Sequence, residues 1–198
     1  MTGGLEPTAG FDQTVDAMIL ARAQRGDMDA FAEIYRCFGR ACFRLALRML
    51  GNRQPAEDLV QEVFLKMMDT IRGYRGDAPF GAWLKRMSVN ACIDHLRRQR
   101  HEGTDDADAV FAQTASADSS AAIKVDAWSL LSHLSPRARA IVTLHELEGY
   151  THTELAVLFG QSESYSKSIL ARALKRLHTL VDPQPSSSPE LVVSCKAN

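Results

Sequence analysis

A chain of 198 residues that is 45% hydrophobic and 24% charged has the make-up of a globular protein of one or two domains. Lys and Arg number 23 against 24 for Asp and Glu, which excludes a uniformly basic nucleic-acid coat but leaves room for locally basic surfaces. No apolar run approaches the ~20 residues of a membrane span, and Met1–Pro7 lacks the layout of a secretory signal. Cys37, Cys42, Cys92 and Cys195 form no paired framework, so a soluble, cytoplasmic protein is expected.

After a lead-in over residues 1–26, expected to be partly helical, the apolar positions Phe31, Ile34, Phe38, Cys42, Leu45 and Met49 trace one face of a helix beginning near Asp27. Gly51-Asn52 ends it, and Pro55 with Glu57 and Asp58 suits the first turn of a second helix. That helix is predicted to bury Leu59, Val60, Val63, Phe64, Met67 and Ile71. Its other side shows Asp58, Gln61, Glu62, Leu65 and Asp69. A solvated face accounts for the charges alone, but a leucine ringed by carboxylates fits a docking surface for a basic partner helix. Cys37 and Cys42 lie five apart on the first helix, as packing thiols or, alternatively, redox sensors.

Gly73–Pro79 reads as a loop by its Gly and Pro content. A third helix follows, with Phe80, Trp83, Leu84, Met87 and Ala91 as its apolar stripe and Arg86, Asn90, Asp94, Arg97 and Arg98 on other faces. Asp94 suits an intrahelical pair with Arg97 or Arg98, a structural role. Asn and Arg side chains in one basic helix also carry the donors that base edges and phosphates need.

Charge is strongly segregated. Residues 85–101 hold four more positive than negative charges, residues 102–126 five more negative, and Ser162–Leu180 three more positive. The acidic, Ala/Ser/Thr-rich stretch 102–126 is therefore predicted to be a flexible linker between two domains.

Ser135-Pro136 opens a helix expected to run to about Leu147, stopped by Gly149. Thr151-His152-Thr153-Glu154 matches a capping box, and the short helix behind it carries Leu155, Ala156 and Phe159. Gly160-Gln161-Ser162 makes a turn into a longer basic helix from Glu163. The order helix, turn, basic helix fits a helix-turn-helix whose second member lies in the DNA major groove, although a structural hairpin shares the pattern. The Pro- and Ser-rich stretch 182–198 is expected to be a disordered tail, with Leu191-Val192-Val193 either frayed or docked.

The whole resembles a bacterial RNA polymerase sigma factor of the extracytoplasmic-function (ECF) group of the sigma-70 family. The resemblance covers approximately Asp27–Arg100 and Leu134–Leu180. It rests on Asp27…Ala30-Phe31…Tyr35, on the run Ala56-Glu57-Asp58-Leu59-Val60-Gln61-Glu62-Val63-Phe64-Leu65, and on Trp83-Leu84…Asn90…Asp94…Arg97-Arg98. Gly149…Thr153-Glu154-Leu155-Ala156…Phe159-Gly160 and Lys167-Ser168…Leu170…Arg172-Ala173 complete it.

What the resemblance implies is an all-α protein. A sigma2-like helical bundle (27–101) and a sigma4-like helix-turn-helix domain (127–181) would be joined by the linker 102–126. Asp58, Gln61, Glu62 and Leu65 would bind the β′ clamp helices of core RNA polymerase, with the β flap as a further contact. Tyr74, Arg75, Phe80, Arg86, Asn90, Arg97 and Arg98 would engage the minus-ten element, Tyr74, Phe80 and Trp83 being candidates for stacking on opened bases, although Trp83 falls on the core stripe. Ser164, Tyr165, Lys167, Ser168, Arg172 and Lys175 would read the minus-thirty-five element. The family commonly has Val at the position of Ser166 and often Arg at that of Ile169, which implies an unusual recognition helix with one phosphate contact fewer. The 25-residue linker extends to roughly 80 Å, enough to span promoter elements ~70 Å apart. The free protein is expected to bind promoter DNA poorly. An anti-sigma factor, often membrane-bound, is the further partner the resemblance implies.

Three rival readings are distinguishable. An enzyme lacks support: His145-Glu146 and His152 miss the HExxH spacing, and no Walker loop, nucleophile elbow or Cys/His cluster occurs, so neither cofactor nor metal is expected. A stand-alone helix-turn-helix regulator leaves the acidic face of the second helix without a task. A sigma-like decoy for an anti-sigma factor leaves the basic Asn90–Arg100 segment without one.

Overall fold

A computed structural model describes residues 10–101 and 127–181. The expected linker 102–126 and tail 182–198 lie outside the described residues. Every regular element among the described residues is helical: α1 (Ala17–Gln24), α2 (Met28–Leu50), α3 (Arg53–Thr70), a 3-10 turn (Ile71–Gly73) and α4 (Phe80–His101), then α5 (Ala127–Ser132), α6 (Pro136–Val142), a π-helical turn (Thr143–Leu147), α7 (His152–Phe159) and α8 (Glu163–Val181). They form two small helical domains, α1–α4 and α5–α8.

Side-chain oxygens set the helix starts. Asp27 accepts from the backbone N–H groups of Asp29 and Ala30 at the head of α2, and its other oxygen takes the Arg22 Nε at 2.7 Å. That charged hydrogen bond holds the Asp27 carboxyl below its usual range. Asn52, expected to help end α2, instead caps α3 by accepting from Gln54 N–H, so α3 begins at Arg53 and Pro55 lies in its first turn. Ser135 caps α6 with Pro136 directly behind it. Thr151 and Glu154 make the reciprocal capping box that the sequence predicts.

The apolar stripes read for α2 and α3 are the stripes that pack. On α4, Phe80, Leu84 and Ala91 are buried as expected, but Trp83 and Met87 are only half-buried, and Val89, Cys92, Ile93 and Leu96 fill the core instead. Phe31, Ile34, Phe38, Cys42, Leu45 and Met49 of α2 are all buried, against Leu59, Val60, Val63, Phe64 and Met67 of α3 and Leu84, Val89, Cys92 and Leu96 of α4. The helix opened by Ser135 differs from expectation in its second half. From Thr143 it widens into a π turn, in which Glu148 N–H donates to Thr143 O and Tyr150 N–H to Leu144 O. The extra residue per turn keeps Thr143 and Leu144 in the core and leaves Leu147 exposed. The sequence reading also lacks α5, whose six residues are too short to show a period.

The two domains pack on one another. Arg139 of α6 is buried, and its guanidinium donates to four backbone carbonyls: Leu131 O, Ser132 O and Leu134 O in its own domain, and Leu50 O at the end of α2 at 2.9 Å. Gly51, in the left-handed region at φ +75°, leaves the space for it. Glu148 adds an ion pair to Lys85 of α4 at 2.6 Å and a longer one to Arg48 of α2 at 3.6 Å. Arg97 of α4 donates to Leu158 O of α7 at 2.6 Å.

Candidate functional site

The side chains expected to act fall into three groups, on or beside α3, α4 and α8. On α3, Asp58, Gln61, Glu62 and Leu65 follow spacings of three, four and seven, so they share one face, and all four are exposed. Leu65 keeps 63% of its surface in water, where a core residue would keep almost none. The charges around it are lightly engaged. Gln54 donates to Asp58 Oδ1, and Glu62 meets Arg98 at 3.7 Å with both side chains more than half exposed. The face is an apolar centre with an acidic rim.

The second group surrounds α4. Arg86, Asn90 and Arg97 project along one side of the helix and Arg98 turns towards α3; all four are exposed, as is Arg75 in the preceding loop. Asp94 pairs with Arg97, at 3.3 Å, rather than with Arg98. Tyr74 and Phe80 behave differently. Phe80 is 5% exposed and packs among Phe38, Tyr74 and Trp83, with centroid distances of 5.8, 5.3 and 5.4 Å. Tyr74 is half-buried, and its hydroxyl donates to Ala78 O. In this conformation both rings stabilise the loop, and stacking on a base requires them to leave the cluster. Trp83 is half-buried in the same cluster. A cavity of 720 Å³ adjoins it, lined by Arg44, Arg48, Tyr74, Phe80, Lys85 and, from the other domain, Glu148.

The third group lies on α8. Ser164, Lys167, Ser168, Arg172 and Lys175 are exposed, whereas Ser166, Ile169, Leu170 and Ala173 face inward. The implied loss of a phosphate contact at Ile169 is therefore corrected: that side chain is 2% exposed and belongs to the core. Ser166 places a hydroxyl in the core but satisfies it. Its proton goes to Glu163 O, so the oxygen accepts from Nδ1–H of His152 at 3.0 Å. His152 stacks on His145 with ring centroids 4.4 Å apart, and His145 Nδ1–H is held by Tyr150 O. Burial, then the neighbouring His145 and Lys167, lower the His152 pKa, so the ring is neutral at neutral pH. Tyr165 is half-buried against Arg137.

The sequence reading missed the residues that join the domains: Arg48, Lys85, Arg139 and Glu148. Each is an ordinary charged residue at a helical position, and no local signal marks its partner. Among the described residues, no group of three or more His, Cys, Asp or Glu is arranged to hold a metal ion, and no helix is long and apolar enough to cross a membrane.

Comparison with known proteins accounts for the arrangement. Residues 34–102 match the family model of Sigma-70 region 2, and residues 124–177 that of Sigma-70 region 4. Over 184 residues the chain is 32% identical to the ECF RNA polymerase sigma factor SigM of Mycobacterium tuberculosis, covering 90% of this chain and 92% of that one. The chain belongs to the ECF sigma factors. Another relative of this sigma factor, BldN of Streptomyces coelicolor, is 32% identical over 186 residues, covering 88% of this chain and 69% of its own. The fold is also that of the sigma factor RpoE of Bartonella quintana, solved with the anti-sigma factor NepR, at 23% identity and a TM-score of 0.52 over 78% of this chain and 98% of that one. As an alternative sigma factor, the protein binds core RNA polymerase and promoter DNA and directs transcription initiation. Sigma factors as a class are non-enzymatic initiation factors.

Proposed function

We propose that the three groups divide the work of initiation. The face of α3 formed by Asp58, Gln61, Glu62 and Leu65 binds the β′ clamp helices. Arg75, Arg86, Asn90, Arg97 and Arg98, with Tyr74 and Phe80 once released from their cluster, engage the minus-ten element. Ser164, Tyr165, Lys167, Ser168, Arg172 and Lys175 lie along the minus-thirty-five duplex, and the β flap holds the C-terminal domain. Residues 27–101 and 127–181 are the two working units, with 102–126 as the connector. The chain performs no chemistry of its own, needs no cofactor, and works in the cytoplasm, where an anti-sigma factor covering the α3 face would hold it inactive or keep it at the inner membrane.

The observation that carries this reading is Leu65, an exposed leucine at the centre of an acidic helix face. Burying such a residue against a partner gains roughly 1.5–3 kcal/mol, and its acidic rim selects a basic partner. In the closed arrangement Arg97 is tied to Leu158 O and Lys85 to Glu148. Freeing Arg97 for the minus-ten element therefore requires the C-terminal domain to swing off α4, which is why the isolated chain is expected to bind promoters poorly.

The test is charge reversal at Asp58 and Glu62 together. Both are exposed, so the variant should melt like the parent while its affinity for core polymerase falls at least about tenfold, or ~1.4 kcal/mol. Holoenzyme assembly and promoter-specific transcription at parental levels would overturn the assignment.

A further inference from the structure

Arg137, near the start of α6, has no role in the division of labour above. Its Cζ lies 5.2 Å from the centroid of the Tyr165 ring and 5.6 Å from that of Phe159, so the guanidinium is packed between the end of α7 and the start of α8. Its Nε is sealed from solvent and meets no acceptor. No carboxylate among the described residues pairs with it. Neighbouring charges are engaged: Lys167 pairs with Glu163, and Arg139 is spent on backbone carbonyls. A half-buried guanidinium held by two rings and lacking an anion is a costly feature for the free protein to keep.

Tyr165 fixes where this group lies. It sits two helical turns before Arg172 and next to Ser164, at the rim of the exposed face of α8. A duplex laid on that face brings its phosphates to the rim, and helix-turn-helix domains take backbone contacts from elements flanking the recognition helix. A planar fork stacked on aromatic rings is already oriented and loses little freedom when it meets a phosphate.

We propose that Arg137 is a DNA-backbone contact of the minus-thirty-five reader, with Phe159 and Tyr165 as the positioning residues that aim its outer fork at a phosphate. This rests on α8 being that reader. It changes the task of Tyr165 from reading bases to holding a phosphate ligand.

The experiment measures the salt dependence of promoter binding by holoenzyme carrying the full chain. Arg137→Met keeps the packing over the rings and removes the charge. The slope of log affinity against log salt should become shallower by about 0.9, so the parent's advantage shrinks about 3.5-fold from about 50 to 200 mM salt. The loss should be equal on a promoter with a scrambled minus-thirty-five element, because a phosphate carries no sequence. Arg137→Lys should restore the slope. Tyr165→Leu should reduce it, and by no more when combined with Arg137→Met. A purely structural brace would lower the melting temperature and leave the slope alone, which overturns the proposal. So does a defect in holoenzyme assembly at unchanged slope, which would assign Arg137 to polymerase. Arg172→Gln separates the two levels of inference. If it flattens the slope and Arg137→Met does not, only the Arg137 contact fails; if neither does, the assignment of α8 as reader fails with it.

Discussion

Replacing Gly51 by alanine tests whether the two domains are joined as described. Gly51 and Gly149 both end helical segments with positive φ, +75° and +78°. Alanine at either position pays the left-handed penalty of about 1–2 kcal/mol. The surroundings differ. A Cβ on Gly149 meets nothing within 4 Å, whereas one on Gly51 falls 1.4 Å from Nη1 of Arg139. The arginine has to move, and the bond it gives up is the one to Leu50 O, a charged donor on a buried carbonyl worth about 1.5–3 kcal/mol. Its bonds to Leu131 O and Leu134 O hold it in its own domain and limit how far it can swing. Gly51→Ala should therefore cost roughly 2 kcal/mol more than Gly149→Ala, a further fall of about 4–8 °C in melting temperature for a chain of this size. Thermal unfolding followed by circular dichroism measures both. Equal losses in the two variants would show that Arg139 does not reach the end of α2 and that the domains are not docked through it.

Two further predictions follow from burial and charge. Glu148→Lys sets a third cation against Lys85 and Arg48, and the domains should separate, read as a larger radius of gyration in small-angle X-ray scattering; an unchanged radius would contradict the docking. Burial raises the Cys42 thiol to about 11 and the Cys92 thiol further still, so both stay protonated and unreactive at neutral pH. In a Cys195→Ser background a disulfide reagent at about pH 8 should modify half-buried Cys37 first, with Cys42 and Cys92 following only as the chain unfolds. Prompt reaction of all three would refute the packing role and revive redox sensing.

The sequence by itself determined the local structure and most of the candidate surface. Helix periods place Phe38 and Met67 inside and Leu65 outside without any knowledge of the fold, because a helix with one apolar stripe has only one face to bury. Caps such as Asp27 and the Thr151–Glu154 box act within four residues, so they too are legible in order. On α8 the faces are not read from spacing: the resemblance sets the Ile169 position among the phosphate contacts, and its burial emerges only from the structure.

Only the tertiary structure decided what lies between elements distant in the chain. Arg139 and Leu50 are 89 residues apart, and Lys85 and Glu148 are 63 apart. Their pairing depends on how two finished domains meet, which no window of sequence encodes. The same holds for Phe80, whose ring packs against Phe38 from α2, and for Arg137, which is held by rings from α7 and α8. Periodicity fixes which face of a helix is buried, but the partner across that face is chosen by the packing of every helix at once, since each side chain must fill a space the others leave.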